Sequence, residues 1–257
     1  MERYFSLSQE SLRIPCRIYE PDFGAPKRCI LGVHGFGGSK DTEILTTLAE
    51  EMSIFGSSMV CFDFPAHGDS PMESDALTLD NCIETLIYTA QWAHNRYPDL
   101  DFCIYASGFG AYVTLIALER LEEVVGKVKL VLHTPNLRMS ETVLGMVRMN
   151  EEQLRAADRV TLRASRQFDV TYDFYEQVRR HTALTTFDSP MLILHGEKDE
   201  FVPLGDMLNF RRINEDCKLV VIPGADHQFQ APGVWDMVVD LTRDWFEWEQ
   251  VLLCDWS

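Results

Sequence analysis

The stretch Tyr105-Ala106-Ser107-Gly108-Phe109-Gly110 constrains the chain more than any other. An apolar run, Phe102 to Tyr105, enters it and a helical pattern, Ala111 to Leu121, leaves it, so the backbone must pass from strand to helix through one sharp turn. A turn of that kind brings the strand and helix backbones close together, and the residues two places either side of its tip must be small. With Ser107 at the tip those places hold Tyr105 and Phe109; with Gly108 at the tip they hold Ala106 and Gly110, and the requirement is met. A tip held at positive φ would cost an ordinary residue about 1 to 3 kcal/mol and glycine almost nothing. Read alone, the stretch is equally a glycine-rich turn with no chemistry attached.

The same alternation runs through the chain. Residues 3 to 7 and 12 to 19 read as two short strands. Buried strands follow at Cys29 to His34, Met59 to Phe64, Lys129 to His133, Met191 to His195 and Lys218 to Ile222. Helical patterns lie between them: about Lys40 to Phe55, Thr78 to Tyr97 before Pro98, a helix after Pro203 to about Ile213, and a last one from about Val234 to Val251. Strands separated by helices of this length imply right-handed crossovers and a mainly parallel sheet covered by helices on both faces, an α/β fold. Ligands in such sheets gather at the carboxyl ends of the strands.

At 257 residues and 46% apolar content the chain can bury one substantial core. Its net charge of −17 argues against nucleic acid and against anionic membrane surfaces as partners. Seven scattered cysteines with no C-x-x-C read as buried thiols, neither a disulfide framework nor a metal site. The first residues carry no signal-peptide pattern, and no apolar run approaches the roughly 18 residues of a membrane span. A cytoplasmic protein without a metal or cofactor is the expectation; oligomeric state is not legible.

Residues 135–187 break the alternation and read as two or three amphipathic helices inserted into the sheet protein, a cap, leaving 1–134 and 188–257 as the core. The insertion holds eight Arg and no Lys against seven acidic residues, a net +1 within a strongly acidic chain. That leaves two readings: local positive potential that steers an anionic substrate, or a solvated helical face.

Four further stretches join the turn at Gly108. His34-Gly35-Phe36-Gly37-Gly38 is similar to the HG loop that supplies half of an oxyanion hole. Asp63 to Ser70 is similar to a D-x-x-G-x-G-x-S turn, with Pro65-Ala66 where glycine is commoner. Asp199 with Val202-Pro203 resembles an acid loop, and Gly224 to Phe229 resembles a G-x-D-H-x-F histidine loop. Together, and in this chain order, they resemble the α/β-hydrolase superfamily, in particular bacterial cinnamoyl or feruloyl esterase-type serine hydrolases. The resemblance implies an α/β-hydrolase fold with a small helical cap and hydrolysis of carboxylic esters, small or aromatic in their acyl part. It implies Gly108 at the nucleophile position, His227 as general base, Asp199 as the carboxylate orienting it, and the backbone N–H groups of Phe36 and Phe109 as the oxyanion hole. Asp226 is a rival acid, discounted because immediate neighbours cannot easily meet side chain to ring. His34 braces its loop. Phe36, Phe109 and Phe229, with Met139, Met146 and Met149, suit an apolar or aromatic acyl group.

The departure is glycine where the family has serine. Losing the nucleophile of a catalytic triad costs about a million-fold in rate, so this chain should bind ester and barely turn it over. Three accounts stay open: an esterase whose nucleophile has been replaced, a non-catalytic ligand-binding protein in the old pocket, or an enzyme in which His227 activates water directly.

Overall fold

The computed structural model describes residues 1–248. The chain begins with a hairpin, β1 (Glu2–Gln9) and β2 (Leu12–Tyr19), followed by β3 (Arg28–Val33), α1 (Glu43–Ile54) and β4 (Ser57–Phe62). Next come α2 (Leu79–Arg96), β5 (Asp101–Ser107), α3 (Gly108–Val125) and β6 (Lys129–His133). The segment that follows holds α4 (Met139–Val147), α5 (Glu151–Ala157), a hairpin of β7 (Arg159–Arg163) and β8 (Gln167–Thr171), and α6 (Tyr172–Arg179). The chain then returns to the sheet with β9 (Met191–Gly196), α7 (Leu204–Ile213), β10 (Cys217–Ile222) and α8 (Val234–Trp248). The expected continuation of the last helix to Val251, like Cys254, lies outside the described residues.

Eight strands form one sheet in the order β1-β2-β4-β3-β5-β6-β9-β10. The run from β4 to β10 is parallel throughout, while β2 lies antiparallel to both its neighbours. The register sets the ends of the central strands level: Val33 pairs with Ala106, Ser107 with His133, and His133 with Leu194. The loops that leave β3, β5, β6 and β9 therefore emerge at one edge.

The period-2 alternation of β5 explains why helices cover both faces. Phe102, Ile104 and Ala106 join a core with residues of α2, α3 and α7; Cys103 and Tyr105 point the other way, into a core with residues of α1 and α8. Each fully buried Ile or Leu of these layers contributes roughly 1.5 to 3 kcal/mol by leaving water. Cys16, Cys29, Cys61, Cys82, Cys103 and Cys217 are all buried. No helix among the described residues is long and apolar enough to cross a membrane.

Several boundaries differ from the sequence reading. α1 starts at Glu43 because Ser39 to Thr42 closes a turn first, with the Ser39 N–H donating to the Thr42 hydroxyl at 2.9 Å. α2 starts where expected, the Thr78 hydroxyl accepting the Asn81 N–H at 3.1 Å. The inserted segment is the larger correction, for it is not helical alone. Val160 and Leu162 of β7 alternate with polar neighbours, as do Phe168 and Val170 of β8, and the two strands pair antiparallel.

Candidate active site

The loop after β3 is built around a neutral histidine. His34 Nε2 accepts the Phe64 N–H at 3.1 Å, which leaves the ring proton on Nδ1 to donate to the Gly35 carbonyl at 2.7 Å. Burial pushes its pKa down to about 4, and with both nitrogens hydrogen-bonded the neutral ring braces the loop. Phe36, next in the loop, packs its ring against Phe109, Phe168, Phe174 and His67.

The turn after β4 wraps the Asp63 carboxylate. It accepts the backbone N–H groups of Lys40 at 2.7 Å and Asp69 at 2.9 Å, and the Lys40 ammonium at 3.1 Å. Nothing in the sequence reading singled out Lys40, whose side chain is only 1% exposed.

At the end of β5 the geometry settles the register of the turn. Ser107 is extended, with φ −115 and ψ 140, and Gly108 carries φ +51. A Cβ at position 108 would meet only the Gly35 Cα, at 3.9 Å, so the space above the tip is open. Position 110 is the opposite case. A Cβ there would lie 2.4 Å from the His34 carbonyl oxygen and 2.8 Å from Val33 Cγ1, which is why this flank has no side chain.

Asp199 follows β9 and His227 follows β10. One Asp199 oxygen accepts the N–H groups of Phe201 at 2.8 Å and Val202 at 2.9 Å; the other lies 2.8 Å from His227 Nδ1. The carboxylate is fully buried and the imidazole 28% exposed. Burial opposes the charge on Asp199, but the bonds from His227 and the two N–H groups outweigh it and hold the carboxyl below its usual range. Asp226 is occupied elsewhere, accepting the Gln228 and Gln230 N–H groups at 3.1 and 3.2 Å.

Gly108, Phe36, Phe109 and His227 line one cavity of about 570 Å³, and Asp199 stands behind His227. All five residues singled out from the sequence are thus brought to one place. Met146, Phe201 and Trp235 add apolar wall, and Thr134, Asn136 and Thr142 add polar groups. Of the other apolar candidates, Met139 and Phe229 are buried in the core and Met149 packs against it.

Sequence reasoning missed two parts of this site. His133, at the end of β6, lines the cavity with its ring stacked on Phe229 at 4.0 Å and its Nδ1 3.0 Å from the Tyr105 hydroxyl. The tip of the β7–β8 hairpin reaches the loop after β3: Ser165 donates its N–H to Gly37 at 3.0 Å and its hydroxyl to Gly38 at 3.1 Å, both to carbonyl oxygens. Arg138, Arg155, Arg159, Arg179 and Arg180 pair with carboxylates, and no arginine is among the described residues lining the cavity.

The architecture can be compared with known proteins. Est1E from Butyrivibrio proteoclasticus, in a structure with ferulic acid bound, superposes with a TM-score of 0.80 at 16% identity, covering 94% of this chain and 97% of that one. A soluble variant of monoglyceride lipase from Saccharomyces cerevisiae, in complex with a substrate analog, gives 0.79 at 13% identity, covering 97% and 96%. Alpha/beta hydrolase domain-containing protein 10 from mouse gives 0.76 at 17% identity, covering 96% and 100%. No family model matches the chain, and none of the curated proteins does. The chain has the α/β-hydrolase fold.

Proposed function

We propose that this is a carboxylic ester hydrolase scaffold for small or aromatic acyl esters, and that with glycine at position 108 it binds such esters and barely turns them over. The observation that carries the reading is the hydrogen bond between His227 and Asp199 beside a cavity that Gly108 also lines. A histidine held by a buried carboxylate is oriented to take a proton and return it, and the Asp199 charge stabilises the imidazolium that forms. The N–H groups of Phe36 and Phe109 serve as the oxyanion hole, and backbone donors of this kind do not depend on the side chain at 108.

With serine at 108 the sequence of steps is complete. Its hydroxyl oxygen attacks the ester carbon while His227 takes the proton, and the alcohol leaves with that proton. Water then repeats the exchange and frees the acid. With glycine the first bond cannot form. In the same reading, residues 135–187 act as a cap over a core of 1–134 and 188–257, the partner is a small-molecule ester, and the buried thiols suit a cytoplasmic setting.

Gly108→Ser tests the reading. The variant gains hydrolysis of nitrophenyl or hydroxycinnamoyl esters by several orders of magnitude over the chain as it stands, and loses it again in Gly108→Ser/His227→Ala. A folded serine variant inert towards a broad ester panel sinks the hydrolase reading and leaves a ligand-binding protein.

A further inference from the structure

We infer that the side-chain amide of Asn136 is a specificity-determining donor, selecting esters that carry a second acceptor oxygen a few bonds from the ester carbonyl. The inference rests on the reading of the site given above and narrows its substrate class. Asn136 belongs to the loop that leaves β6 and is 5% exposed. Its backbone N–H donates to the Gly108 carbonyl at 3.1 Å, which ties the loop to the tip of the turn. Two residues earlier Thr134 donates its own N–H to the Leu194 carbonyl at 2.8 Å and carries φ +40, a strained conformation for a β-branched residue that only firm surroundings hold.

The side chain is oriented as well as placed. The Thr142 hydroxyl, on α4, donates to Asn136 Oδ1 at 3.0 Å, so the amide cannot turn over without losing that bond. Nδ2 is left over. Among the described residues no group accepts from it, and it is not sealed away from the cavity that Asn136 lines. A second cavity, of about 580 Å³, adjoins the first, and Asn136, Thr142, Met146, Phe201 and Val202 line both. A ligand with its ester carbonyl over Gly108 therefore has room to continue past the amide.

A ligand that fills the space beside Nδ2 with carbon takes water from a buried donor and leaves it unpaired. One that presents a carbonyl, hydroxyl or ether oxygen there replaces the lost bond. A site built on such a donor rejects the analogue without the oxygen far more strongly than an apolar wall rejects one methylene more or less.

The test uses two pairs of esters that differ in one oxygen, placed on either side of the ester bond. Methyl 3-benzoylpropanoate stands beside methyl 4-phenylbutanoate, and 2-methoxyethyl cinnamate beside butyl cinnamate. Calorimetry gives their affinities for the full chain, and kcat/KM is measured in Gly108→Ser. The expected result is a preference of about tenfold or more for the oxygen-bearing ester in one pair, which tells on which side of the ester bond Nδ2 lies. That preference should fall by about fivefold or more in Asn136→Leu and in Thr142→Val, and persist in Thr142→Ser, with folding confirmed by thermal melts. Being a ratio within one variant, it cancels any loss that both esters share. No preference in either pair, or one that survives Asn136→Leu or Thr142→Val, overturns the inference. If that happens while Gly108→Ser hydrolyses the plain esters, this inference alone is lost. If Gly108→Ser is inert and no ester binds, the reading beneath it is lost too.

Discussion

The Lys40 ammonium lies 3.1 Å from the Asp63 carboxylate, with the lysine side chain 1% exposed and the aspartate side chain fully buried. Asp69 at 2.6 Å and Asp41 at 2.8 Å complete its surroundings. Burial opposes the charge on Lys40, but three carboxylates outweigh it and hold its pKa above the usual range. Asp63 shares its single cation and is buried more deeply, so its carboxyl is lifted above its usual range. Lys40→Met leaves that buried charge with backbone donors alone and should cost about 3 kcal/mol. Urea unfolding measures the loss, and Lys40→Met/Asp63→Asn should recover part of it. A loss under about 1 kcal/mol would mean that water takes the place of the ammonium.

Two glycines two residues apart should respond to alanine for different reasons. At Gly108 the added Cβ has open space, so only the φ of +51 opposes it, a cost of about 1 kcal/mol. At Gly110 the Cβ would sit 2.4 Å from the His34 carbonyl oxygen, and strand or helix must move, a cost of about 3 kcal/mol or more. Thermal and urea melts of Gly108→Ala and Gly110→Ala decide this. Equal losses would mean that the turn relaxes as a unit.

The same pair of glycines marks how far the sequence could be read. Requiring small residues at the flanks was enough to choose Gly108 over Ser107 as the tip, because close packing of strand on helix is a local rule. The parallel strands were legible for a similar reason: a strand buried on both faces is an uninterrupted apolar run, as in Met191 to His195. Asp199 and His227 were found through loop patterns, although only the sheet order brings them together across β9 and β10. The β7–β8 hairpin carried its signal openly, in the alternation of Val160 and Leu162 with polar neighbours. Its arginines were instead weighed as the charged face of a helix. Lys40 left no trace at all, since nothing local says that three carboxylates will surround it.

Buried neutral histidines set the acid limit of the fold. Burial pushes the pKa of His34 down to about 4, and those of His67 and His133 down to about 3. In the unfolded chain each takes up a proton near pH 6.5. Between these limits the unfolded state binds more protons, so stability is complete above about pH 6.5 and falls as pH drops towards 4. Each such histidine adds up to about 1.4 kcal/mol per pH unit to that slope. His133→Phe keeps a ring against Phe229 and should remove one histidine's share between pH 6 and 4, measured by urea unfolding across the range. An unchanged slope would mean that His133 is protonated in the folded state.

The contact of the hairpin tip with the loop after β3 is the remaining point of leverage, because it joins the inserted segment to the residues beside Gly108. A Cβ at Gly37 would lie 2.6 Å from that of Ala164, and Gly37 carries φ +76. Gly37→Ala therefore strains its own backbone and pushes the tip away, breaking the Ser165 bonds to Gly37 and Gly38. The expected result is a loss of about 1 to 3 kcal/mol, with faster amide exchange confined to residues 163–167 and the Phe36 loop. Shortening the side chain at the tip should leave the global stability within about 1 kcal/mol while opening the same segment, and Ser165→Ala is the variant for that. Exchange that stays slow at the tip in both variants would show that the ring contacts of Phe36 with Phe168 and Phe174, rather than the two carbonyl bonds, hold the hairpin down.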